Sequence, residues 1–72
     1  MNIVAQIKYD CRSRAKWVRE QTAQGIPLDD IQLQSARNLA NNAFKWDYDS
    51  ASQELYDAVA ENQDLKMIKT EE

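Results

Sequence analysis

The stretch Gln24-Gly25-Ile26-Pro27-Leu28-Asp29-Asp30 holds the only glycine and the only proline of the chain, and nothing else in the sequence restricts the backbone as sharply. Glycine ends a helix by taking the left-handed conformation just past its last turn. Proline suits the first turn of the next helix, where its missing N–H would have no partner. The pair reads as helix stop, turn and helix start, and it divides the chain near Gly25.

Upstream, Ile3, Val4, Ile7, Cys11, Ala15, Val18 and Thr22 recur at spacings of three and four. At about 100° per residue they share one face of a helix. A first helix is predicted over residues 2–24, with Gly25 at its C-cap. Downstream, Pro27 opens a second helix over residues 27–45, and Asp29 and Asp30 suit the positive end of its dipole. Its inward face is Leu28, Ala36, Leu39, Ala40 and Ala43, mostly small residues that let another helix come close. Ile31, Leu33 and Phe44 lie off that centre.

The third segment opens with Ser50-Ala51-Ser52-Gln53, the pattern of a capping box. A third helix is predicted over residues 50–62, able to continue to residue 68. Ala51, Leu55, Ala58, Val59 and Asn62 share its face, Leu65 and Ile68 extend that face, and Asn62-Gln63-Asp64 is where the helix could break. Residues 1–69 then form a single helical domain, with 70–72 as a frayed tail. With no repeat and no β-rich run, the expected architecture is all-α, a small three-helix bundle.

Phe44-Lys45-Trp46-Asp47-Tyr48-Asp49-Ser50 alternates aromatic and charged residues. A lone strand there would have no partner. An EF-hand loop starting at Asp47 needs an oxygen ligand at position 51, glycine at 52 and a bidentate carboxylate at 58, and Ala51, Ser52 and Ala58 fail all three. The segment is therefore expected to be a joint: Phe44 ends the second helix, Trp46 and Tyr48 cover the end of the core, and Ser50 caps the third helix. An exposed Trp46 would instead make the joint the leading candidate for a partner-binding site.

Composition excludes much enzymology. The chain has no histidine, the usual general base and the commonest metal ligand. One glycine cannot build a Gly-rich phosphate loop, and one cysteine cannot build a zinc site. Cys11, in the middle of the inward face, reads as a buried small apolar residue rather than a nucleophile. A chain of 72 residues also has little room for a water-excluding pocket. No catalytic residue, cofactor or metal is expected, and the protein is read as a non-enzyme. The lack of any disulfide, of an apolar run of about 18 residues and of a signal-peptide core points to the cytoplasm and away from the membrane. So small a domain buries only about 60% of its unfolded surface, so a homodimer or a bound partner would add to a thin margin.

The net charge of −3 conceals a polarity. Residues 1–24 carry five basic and two acidic residues, a balance of +3, whereas residues 47–72 carry eight acidic and two basic, a balance of −6. Lys8, Arg12, Lys16 and Arg19 form a stripe beside the apolar face of the first helix. Glu54, Asp57, Glu61 and Asp64 form one beside that of the third. One reading sets the stripes against each other, within the bundle or across copies of a self-associating structural subunit. A second turns the basic stripe to DNA as a transcriptional regulator. Four positive charges on an acidic protein are a weak footprint for that, and a helix-turn-helix reading fails because Gln21 stands where a small residue is wanted and Asp29 and Asp30 would face DNA phosphates.

The third reading is favoured: a small non-catalytic protein-binding module, an inhibitor, adaptor or regulator, whose acids meet a basic surface. Many small inhibitors carried by phages and plasmids block nucleic-acid-binding proteins in this way. The contacts expected are Glu54, Asp57, Glu61 and Asp64, with Leu33, Arg37 and Phe44 in one strip of the second helix, whose mixture of aliphatic, arginine and aromatic resembles an interface hot spot. The same strip could instead widen the apolar sector of a middle helix. Tyr9, nearly opposite the apolar face of the first helix, is a further contact, and Trp17 sits on that helix's flank.

Overall fold

A computed structural model of the chain describes residues 3–46 and 50–70, with side chains as far as residue 66. The chain forms three helices, α1 (Ile3–Ala23), α2 (Asp30–Trp46) and α3 (Ser50–Thr70). Each packs on the other two, so the fold is the all-α three-helix bundle that the periodicity predicts. The core takes Cys11, Ala15 and Val18 from α1, Leu33, Ala36, Ala40 and Ala43 from α2, Ala51, Leu55, Ala58 and Val59 from α3, and Leu28 from the α1–α2 connection. Six of these twelve residues are alanine, which lets the helix axes approach closely. The molecule is accordingly slender, 48 Å long and 19 Å in its other two dimensions.

The breaker segment works, but not all as the sequence predicts. Gly25 sits at φ +74°. The Gly25 N–H donates to the Thr22 carbonyl at 3.0 Å and the Ile26 N–H to the Gln21 carbonyl at 2.9 Å, the two bonds of a Schellman cap. α2, in contrast, starts at Asp30 rather than Pro27. Asp29 is the reason: its Oδ1 accepts from the Gln32 N–H at 2.8 Å, while Gln32 Oε1 accepts from the Asp29 N–H at 3.0 Å. This reciprocal box outcompetes the weaker start signal of the proline. Leu28 before the cap and Leu33 in the first turn are both buried, the two positions of a hydrophobic staple. Leu33, expected off the centre of the inward face, is thus a core residue.

α3 runs unbroken through Asn62. The helix survives because Asn62 does not turn its side chain on its own backbone. Wholly buried, it reaches across to the α1–α2 connection, where Oδ1 accepts from the Leu28 N–H at 2.8 Å and Nδ2 donates to the Ile26 carbonyl at 3.0 Å and to Thr22 Oγ1 at 3.1 Å. Thr22 in turn donates to the Val18 carbonyl at 2.9 Å. One side chain thereby satisfies backbone groups on both sides of Pro27, of which the buried Leu28 N–H would be costly to leave unpaired. At the other end of α3 Ser50 is already the first helical residue; its Oγ accepts from Arg12 Nη2 at 3.4 Å and Gln53 Nε2 donates to Asp57 Oδ1 at 2.9 Å.

These contacts fix a stagger between the parallel helices α1 and α3. Ser50 begins α3 level with Arg12, so residues 3–11 of α1 run past its start. Thr22, near the end of α1, lies level with Asn62, so residues 63–70 of α3 run past that end. A helix of 21 residues is only about 32 Å long, and the offset accounts for the 48 Å of the molecule. At the joint end the bundle is therefore two helices thick, and its apolar residues are poorly covered. Ile3 is exposed, Val4 and Ile7 are half-buried, and Trp46, expected to cover the end of the core, is 61% exposed. Asp47, Tyr48 and Asp49 lie outside the described residues, as do Glu71 and Glu72.

Candidate functional site

Three of the residues that the sequence singles out meet in one groove. Leu33 and Arg37 of α2 face Ala60, Gln63 and Asp64 of α3 across an open cleft between the two helices. Near the loop end Lys66 Nζ stands 3.7 Å from Asp30 Oδ1. Beyond its Arg37 end, the Tyr56 hydroxyl donates to Asn41 Oδ1 and ties the helices together. Phe44 follows Arg37 by seven residues, two helical turns, and so falls on the same side of α2. It is 46% exposed. The strip is thus divided in the fold: Leu33 belongs to the core, Arg37 is half-buried, and Phe44 is presented outward. Trp46 follows Leu39 by seven residues and lies on the opposite side, toward the α1–α2 groove that Trp17, Arg14 and Leu39 line. There the Arg14 guanidinium sits 5.7 Å from the centre of the Trp17 ring.

The acidic stripe also divides. Glu54 pairs with Arg19 at 3.0 Å and lies 3.7 Å from Arg12 Nε, so at this one point the basic and acidic stripes face each other. Pairs as exposed as these contribute about 0–1 kcal/mol and set helix orientation more than stability. Asp57, Glu61 and Asp64 stand exposed along the outer face of α3, and among the described residues no cation pairs with them. The basic stripe is correspondingly reduced. Arg12 and Arg19 hold Glu54, Lys8 is half-buried, and Lys16 is exposed. Tyr9 projects into solvent from the outer face of α1, 66% exposed and away from the groove.

Cys11 is buried, and its Sγ lies 3.6 Å from the Leu39 carbonyl. Among the described residues no three carboxylate or thiol groups gather as a metal site would require, and no described helix is long and apolar enough to cross a membrane. Ala60 and Gln63, which complete the wall of the groove, carry no signal in the sequence, because an alanine and a glutamine on a helix flank are unremarkable until the facing helix is placed. Asn62 does carry one: it is the polar member of an otherwise apolar face. Comparison with protein-family models, with curated proteins and with solved structures finds no match for this chain.

Proposed function

We propose that this chain is a small non-catalytic protein-binding module of the cytoplasm, an inhibitor, adaptor or regulator, and that it engages its partner through the α2–α3 face together with the adjoining joint end, where Trp46 is 61% exposed. The observation that carries the reading is the row Asp57, Glu61 and Asp64, exposed and, among the described residues, without a paired cation, beside the groove that Leu33 and Arg37 line, with Phe44 46% exposed on the same side of α2. A row of carboxylates raises the rate of encounter with a basic surface, and an exposed aromatic at its margin offers an anchor once contact is made. Arg37 and Gln63 supply hydrogen-bonding groups along the cleft. A partner that uses its basic surface for nucleic acid would be blocked in the process. The pairing of Arg12 and Arg19 with Glu54 weighs against the DNA-binding alternative, because it engages two of the stripe's four cations and offsets one of their charges.

The test starts from the protein that co-purifies with the tagged chain from its native host, identified by mass spectrometry and then purified. Binding of that protein is compared for the wild type, for Asp57→Lys/Glu61→Lys/Asp64→Lys and for Phe44→Ala, at low and at physiological salt. The charge reversals should abolish binding, and raised salt should weaken the wild type. Equal binding by all three chains would overturn the reading, and tighter binding of the reversed variant to duplex DNA than to protein would favour the alternative.

A further inference from the structure

We draw no further inference here: the strongest candidate, the apolar cluster of Ile3, Phe44 and Trp46 at the joint end of the bundle, belongs to the partner-binding face already described, and nothing in the structure shows what else covers it.

Discussion

The two ends of the bundle are built on opposite principles. At the loop end α1 turns into α2 over a buried asparagine: Asn62 holds the Leu28 N–H, the Ile26 carbonyl and Thr22 Oγ1 at once, and the connection is pinned from inside. At the joint end α2 finishes with Phe44 46% and Trp46 61% exposed. A polar residue therefore completes the core at one end while aromatic residues are left outside at the other. Burial follows from the register of the helices, and hydrophobicity alone does not decide it.

The contrast can be broken most directly at Asn62. Asn62→Ala leaves the buried Leu28 amide and the part-buried Ile26 carbonyl without their partner and should lower stability by about 2 kcal/mol in urea denaturation, a large part of what so small a domain has. Gly25→Ala probes the same end without touching the packing. A Cβ at Gly25 meets nothing within 4 Å, so only the left-handed backbone is strained, and the expected loss is about 1 kcal/mol. Trp46→Ala should change stability by no more than about 0.5 kcal/mol, as exposed positions do, and Phe44→Ala by about 1 kcal/mol, because just over half of its surface is covered. A loss at Trp46 comparable to that at Asn62 would mean that the joint end is closed in solution and that the asymmetry is false.

The elements and their inward faces were legible where periodicity is strong. Cys11, Ala15 and Val18 of α1, Ala36, Ala40 and Ala43 of α2, and Ala51, Leu55, Ala58, Val59 and Asn62 of α3 are buried as their spacing predicts. The Pro27 signal sets the start of α2 three residues early because two signals compete there, and two side chains that each bond the other's backbone N–H outweigh a ring that merely fits. Leu33 was placed off-centre for a related reason. With the helix starting at Asp30, the staple draws Leu33 inward together with Leu28. At the candidate site, the groove that joins Leu33, Arg37 and Asp64 depends on how α2 and α3 face each other, and no single-helix pattern encodes that.

What the sequence determined by itself is local: three helices, the Gly25 turn, the charge polarity, and which face of each helix is apolar. These follow from backbone preference and from a 3.6-residue period, both properties of a few neighbouring residues. The tertiary structure alone decided the offset between α1 and α3, and everything that hangs on it. It consumes Glu54 in an internal pair while Asp57, Glu61 and Asp64 remain outside, turns Asn62 from a candidate break into the residue that holds the connection, and leaves Trp46 61% exposed. The physical reason is that alanine-lined helices can slide along one another at little cost in burial, so their register is set by the few contacts with direction, the hydrogen bonds of Asn62 and the ion pairs of Glu54.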